Sequence, residues 1–246
     1  VNGRRENVNK DLIVIGGLVV IAAALIAYLV LRPDNDAPAA PAAGPSVTSL
    51  SDAEAAGGSA EGRGSPVERR QAGDPLALGA PDAPVALVVF SDYRCPFCAK
   101  FSRDIEPELV KRYVDAGRLR IEWRDFPIFG PQSMSAARAG RAAAEQGKFW
   151  QFNSAVYAAA PERSKADLTD EALIGFARQA GVPDIDRFTA AMRGDTFDAV
   201  INSDLARGTG IGVPSTPAFL INDVPTLGAQ PIDDFVRAID GALAGR

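Results

Sequence analysis

Twenty consecutive residues, Leu12 to Leu31, carry no charge and almost no polar side chain. At 1.5 Å per residue, a helix over this run matches the roughly 30 Å hydrocarbon core of a bilayer, so the pattern predicts a transmembrane anchor. A buried core helix is rarely apolar on every face. A secretory signal usually has a shorter apolar region, although the Ala-rich stretch at 37–43 offers a cleavage site. Arg4, Arg5 and Lys10 precede the run and only Arg32 closely follows it. The positive-inside rule therefore puts residues 1–11 in the cytoplasm and everything beyond the anchor at 12–31 on the outer side. Residues 32–73 are dominated by Ala, Pro, Gly and Ser, with no apolar period and no aromatic residue. Such a segment cannot bury enough surface to order itself and is read as a disordered linker.

From Asp74 the pattern changes to alternating strand and helix, and residues 74–246 are read as one α/β domain. Val85 to Phe90 is a continuous apolar run of strand length, the signature of a strand covered on both faces. Phe101, Ile105, Leu109 and Tyr113 recur every four residues up to Gly117, predicting a helix that Pro107 should kink. Leu119, Ile121 and Trp123 then alternate with Arg118, Arg120, Glu122 and Arg124, predicting a half-exposed strand. Between about 132 and 208 the periodicity is helical throughout, with Thr169 as an N-cap and Gly181 as a helix stop, so this region is a helical insertion. Ala218 to Ile221 and Val224 to Leu227 read as strands joined by a turn at Asn222-Asp223, and Ile232 to Leu243 as a terminal helix.

Composition narrows the chemistry. The 246 residues carry a net charge of -5 with no basic patch, which argues against nucleic acid as a partner. There is no histidine, so Ser-His and Cys-His nucleophile pairs, histidine metal sites and histidine bases are all excluded. What remains is sulfur. The chain has two cysteines, and they stand together in Cys95-Pro96-Phe97-Cys98.

A Cys-x-x-Cys pair serves as half a zinc site, a haem attachment point, a structural disulfide or a redox pair. Zinc needs further ligands that this chain lacks, and haem attachment needs histidine where Ala99 stands. A disulfide closing so small a loop restricts the unfolded chain very little. A redox dithiol is the favoured reading, an inactive relic or a metal site shared between subunits being the alternatives, and no metal or organic cofactor is expected. Cys95 falls where a strand ends and a helix begins, where unpaired N–H groups favour a thiolate. Pro96 suits the first helical position and Cys98 lies one turn further in, its sulfur turned inward. Cys95 is therefore the outer, reacting sulfur and Cys98 the resolving one. Arg94 and Lys100 flank the pair, although flanking cations are usually just solvated. Later, Pro214 and Pro217 precede the Ala218 strand. Breaking the preceding helix suffices to explain Pro214, whereas a cis Thr216-Pro217 bond would bring the Thr216 backbone beside the cysteines.

The run Phe90-Ser91-Asp92-Tyr93-Arg94-Cys95-Pro96-Phe97-Cys98, the helical insertion and the later Thr216-Pro217 together resemble the DsbA-like branch of the thioredoxin superfamily. Leu78 to Val85 and Gly228-Ala229-Gln230-Pro231 add to the likeness, which covers about Asp74 to Gly245. The resemblance implies a thioredoxin-like fold with an inserted helical subdomain. It implies a catalytic disulfide at Cys95 and Cys98, supported by Pro96, Phe97, Thr216 and a cis Pro217. The implied activity is thiol:disulfide exchange that introduces disulfides into exported cysteine-containing proteins. A membrane oxidase of the DsbB or VKOR type would reoxidise the enzyme, and membrane-tethered members occur in bacteria. Phe97 stands where the best-known oxidants of the family carry histidine, so an intermediate oxidising potential is expected. Two other readings stay open: a reductase or isomerase on the same fold, kept reduced by a membrane donor, and a tethered binding or chaperone module.

Overall fold

Val85–Ser91 forms a strand buried along its whole length, as a continuous apolar run requires when both sheet faces are covered. It is the second of five in the computed structural model, which describes residues 67–245. The expected cytoplasmic segment, the anchor and the linker as far as residue 66 lie outside the described residues. Among those described, no helix is long and apolar enough to cross a membrane.

The strands are β1 (Ala77–Leu78), β2 (Val85–Ser91), β3 (Leu119–Asp125), β4 (Ala218–Ile221) and β5 (Val224–Leu227), in the spatial order β1-β3-β2-β4-β5. β2 and β3 run parallel, Val85 opposite Leu119 and Ser91 opposite Asp125, while β4 is antiparallel to β2 with Phe90 opposite Ala218. That register carries Thr216 past the end of β4 to the level of the turn that follows β2. β4 and β5 form a hairpin whose turn residues, Asn222 and Asp223, both take positive φ, as a tight two-residue turn demands.

After β2 comes a helical stretch made of α1 (Pro96–Lys100), a wide turn (Phe101–Ile105), α2 (Glu106–Leu109) and a second wide turn (Val110–Val114). In the wide turns the bonds reach one residue further than in an α-helix: Glu106 N–H to Phe101 O and Asp115 N–H to Val110 O. Pro107 has no N–H to give to the carbonyl four residues back, and the ladder widens before it rather than breaking.

The half-exposed reading of β3 is wrong. All seven of its residues are buried, Arg120, Glu122 and Arg124 included. The apolar members Leu119, Ile121 and Trp123 join the main core. The charged ones are covered by residues 67–74, the end of the segment read as a disordered linker to residue 73, which instead packs on the domain from Val67 onward. Arg69 N–H and Arg70 N–H donate to the two Glu122 oxygens at 2.6 and 2.8 Å, and Arg120 Nε adds a third bond at 2.6 Å. Burial pushes the Glu122 carboxyl upward, but these three bonds outweigh it and hold its pKa below the usual carboxylate value. Arg124 donates to Val67 O and to Asp204 Oδ1, and Arg141 bridges Asp204 and Asp125. Buried charge is tolerable only when paired and bonded in this way.

Between β3 and β4 come α3 (Pro131–Ala144), α4 (Phe149–Ala159), α5 (Asp170–Gln179), α6 (Ile185–Arg193) and α7 (Asp198–Gly210). Thr169 caps α5 by accepting from Ala172 N–H, and Asp184 caps α6 through Arg187 N–H. Tyr93 joins this helical layer to the sheet. Its ring stacks on Tyr157 of α4 at 5.4 Å and lies against Trp123 at 5.1 Å. Gly140 of α3 makes room for it, since a Cβ there would stand 2.5 Å from the Tyr93 hydroxyl. At the other end α8 (Ile232–Ala244) buries Phe235 against Phe101 and Phe219.

Candidate active site

Cys95 is the N-cap of α1, with Pro96 in the first turn where a missing N–H costs nothing. Its conformation is set by the preceding turn. Asp92 is buried, and its carboxylate accepts from Arg94 N–H, Ser133 Oγ, Ile128 N–H and Phe129 N–H at 2.7–3.1 Å. One side chain thus fastens the Cys95 turn to the 126–133 loop. Desolvation raises its pKa, against the opposing effect of these bonds.

Both cysteines are free thiols in this structure. Cys95 is less open than the outer sulfur expected from sequence. The residue is only 2% exposed and lies in the wall of a groove of about 610 Å³ that is lined by Phe97, Phe129, Arg163, Lys165, Thr216 and Gly228 to Gln230 among others. Its Sγ donates to Thr216 O at 3.2 Å, and the Thr216-Pro217 peptide is cis. Phe97 projects from the rim, 61% exposed.

The Cys95 pKa is lowered to about 6. The Cys98 thiol, as hydrogen-bond donor, contributes most; burial opposes it; the Thr216 hydroxyl and the N–H groups of Cys98 and Phe97 add to the lowering. Neither N–H closes a full capping bond on the sulfur, yet their dipoles still favour negative charge there. Cys98, 1% exposed, has its pKa raised well above the ordinary thiol value, first by burial and then by its neighbour Cys95. The two sulfurs are therefore unequal: one carries charge and the other keeps its proton.

Arg94 and Lys100 do not face the sulfur. Arg94 donates to Ala166 O and Phe129 O, and Lys100 pairs with Asp104 on the surface. Sequence reading missed Ser91 and Tyr157, which lie behind Cys98. The Ser91 hydroxyl opposes the rise of the Cys98 pKa and lies 2.9 Å from Tyr157 Oη, which donates to Asp92 O. Ser91 stands in sequence just past the apolar run at 85–90, but nothing in sequence ties Tyr157, on an inserted helix, to it.

A parallel strand–helix–strand unit with its first cysteine at the strand-to-helix turn, facing a cis-proline loop, is a thioredoxin-like arrangement. The chain belongs to the thioredoxin family, whose profile matches residues 71–241, and it is a thiol:disulfide oxidoreductase. It is 28% identical over 171 residues to the probable disulfide bond formation protein D of Bacillus anthracis, covering 68% of this chain and 77% of that one. It resembles the crystal structure of oxidised BdbD from Bacillus subtilis with a TM-score of 0.65 at 24% identity, over 69% of this chain and 92% of that one. A thioredoxin-like oxidoreductase from Silicibacter pomeroyi superposes with a TM-score of 0.59 at 29% identity, over 71% and 99% of the respective chains.

Proposed function

We propose that the protein is an extracytoplasmic disulfide donor, held at the cell membrane by residues 12–31, with Cys95 and Cys98 as its catalytic pair and Pro96, Phe97, Thr216 and Pro217 as supporting residues. In the oxidised enzyme a client thiolate attacks Cys95 Sγ, the Cys95–Cys98 bond breaks, and Cys98 leaves as a thiolate that takes up a proton. A second client thiolate then attacks the client sulfur of the mixed disulfide and Cys95 leaves as a thiolate. The client loses two electrons and two protons, and the enzyme pair gains the electrons. A membrane oxidase of the DsbB or VKOR type returns the pair to the disulfide. Exported proteins with paired cysteines are the clients.

The observation that carries this reading is Cys95 at the N-cap of α1, 3.2 Å from Thr216 O and with Cys98 buried behind it, a setting that lowers the Cys95 pKa to about 6 and keeps Cys98 protonated. A stabilised thiolate favours the reduced enzyme and so makes its disulfide a better oxidant. At pH 7 the sulfur lies about one unit above its pKa, which favours the reduced form by about 1.4 kcal/mol, roughly 30 mV in a two-electron couple. That makes its disulfide a better oxidant than one whose thiols titrate normally. A reductase or isomerase reading has one feature in its favour: Phe97 offers the Cys95 sulfur no side-chain hydrogen bond. Acid-quenched alkylation of cells separates the two, since a donor is found mostly oxidised at Cys95 and a reductase mostly reduced. The Cys98→Ala variant should accumulate exported clients as mixed disulfides on Cys95, and their absence would refute the donor role.

A further inference from the structure

The groove beside Cys95 carries charge of one sign. Its lining contains two cations, Arg163 and Lys165, and no carboxylate; apart from the Cys95 sulfur, which is uncharged in the disulfide form that meets a client, the other lining residues are apolar or neutral. Neither cation has an ion pair among the described residues, and Lys165 sits 4.6 Å from the centre of the Phe129 ring. Asp104 and Glu162 line a neighbouring hollow that shares Phe97 and Arg163 with the groove, and Asp104 is already paired with Lys100.

Both cations come from the loop between α4 and α5, which is fastened at its two ends. Arg103 donates to Tyr157 O and Ala160 O at 2.7 and 3.0 Å; Arg94 donates to Ala166 O; Gln132 bonds Asp167 and Leu168. Three side chains from other elements are thus committed to holding this loop over the sulfur. The groups that chiefly lower the Cys95 pKa are Cys98, the Thr216 hydroxyl and two N–H groups. The cations therefore face whatever enters the groove.

We infer that the groove selects client segments in which the reacting cysteine is flanked by Asp or Glu. This rests on the disulfide-exchange reading and names its substrate class. The chain's net charge of -5 would repel such a segment at long range. At physiological ionic strength, charges more than about 8 Å away are largely screened, so the two cations in contact with the client decide the outcome. In the first exchange step the acidic client thiolate attacks Cys95 Sγ while its flanking carboxylates pair with Arg163 and Lys165. The sulfur–sulfur bond passes from Cys98 to the client and Cys98 leaves with the electron pair.

The test uses the oxidised full-length chain and three cysteine peptides of equal length whose neighbouring residues are acidic, neutral or basic. Each rate of enzyme reduction is divided by that peptide's rate with 2-hydroxyethyl disulfide, a neutral disulfide, which removes the influence of the flanks on the peptide's own thiol. At 0.15 M salt the acidic peptide is expected to react about tenfold faster than the basic one, and at 1 M salt the ratio should collapse toward unity. The Arg163→Gln/Lys165→Gln pair should level the series, and Arg163→Glu/Lys165→Glu should invert it. The Cys95 alkylation profile of the Gln pair should stay in place, whereas a shift of a full pH unit would mean the cations tune the sulfur instead of the client. Equal normalised rates for the wild-type protein would overturn the charge selection alone. Failure of neutral dithiothreitol to reduce the Cys95–Cys98 disulfide would overturn the exchange reading beneath it.

Discussion

Thr216 O lies 3.2 Å from Cys95 Sγ, while the Thr216 hydroxyl is buried without a formal hydrogen-bond partner. The carbonyl suits the thiol, which donates to it. The hydroxyl suits the thiolate, to which it can donate. One residue therefore serves both protonation states of the reacting sulfur, and only its side chain favours the charged one. Thr216→Val keeps the shape and the carbonyl but removes the O–H. The Cys95 pKa should then rise from about 6 by roughly half a unit to one unit. Iodoacetamide alkylation followed against pH reads this directly, and an unmoved midpoint would exclude the hydroxyl as a partner of the thiolate.

Ser91 should act on the other sulfur. Its hydrogen bond works against the large upward shift of Cys98, so Ser91→Ala leaves the resolving thiol harder to ionise. Loss of one such bond is worth about 1 kcal/mol, roughly a fivefold slower resolution of mixed disulfides. In quenched-flow experiments the mixed species should accumulate while the Cys95 alkylation midpoint stays in place. If that midpoint shifts as well, Ser91 is acting on both sulfurs.

Glu106 has its pKa raised from 4.5 to about 8 by burial, against a weaker lowering by Ser102. Part of the residue reaches solvent, but its carboxyl end lies inside. Between about pH 4.5 and 8 the folded chain holds a proton that the unfolded chain has released. Its stabilising effect is complete below the unfolded pKa and is lost as pH rises through the folded one. Glu106→Gln removes this dependence. Urea unfolding should find the variant more stable than wild type by about 1–3 kcal/mol at pH 8 and indistinguishable at pH 4. Equal stability at pH 8 would place the carboxylate in water.

Residues 67–73 should prove part of the folded domain. A chain beginning at Asp74 loses Val67 and the Arg69 and Arg70 N–H donors, leaving Glu122 in the β3 face with one of its three bonds. Breaking a buried charge network of this kind costs about 3–5 kcal/mol. Thermal melting of chains starting at 67 and at 74 should differ accordingly, and coincident melts would mean the segment only rests on the surface.

The α/β framework was legible because its signals are local. The apolar run at 85–90, the periodic helices of the insertion and the Asn222-Asp223 turn each announce themselves within a few residues, and Cys95-Pro96-Phe97-Cys98 fixes the chemistry by elimination. β3 was misread for a reason that also explains the misplaced linker boundary. Alternating Arg and Glu look like a solvated face unless one knows that residues 67–74 cover them, and those residues look like linker unless one knows that a strand fifty positions later needs their N–H groups. The two errors are one tertiary contact seen from each side. The site was incomplete in the same way: Cys95 and Cys98 were visible, whereas only the packing of the insertion brings Tyr157 behind Cys98 and Arg163 and Lys165 into the groove.

The fit of Tyr93 into the bare spot at Gly140 has a consequence for engineering. The helical insertion cannot be treated as an interchangeable cassette on a generic scaffold, because the aromatic ring it clasps is two positions ahead of Cys95. A transplant of residues 131–210 that leaves Tyr93 behind would leave a void beneath the reacting turn, and one that loses Gly140 would wedge the two layers apart. The lock and its key must travel together.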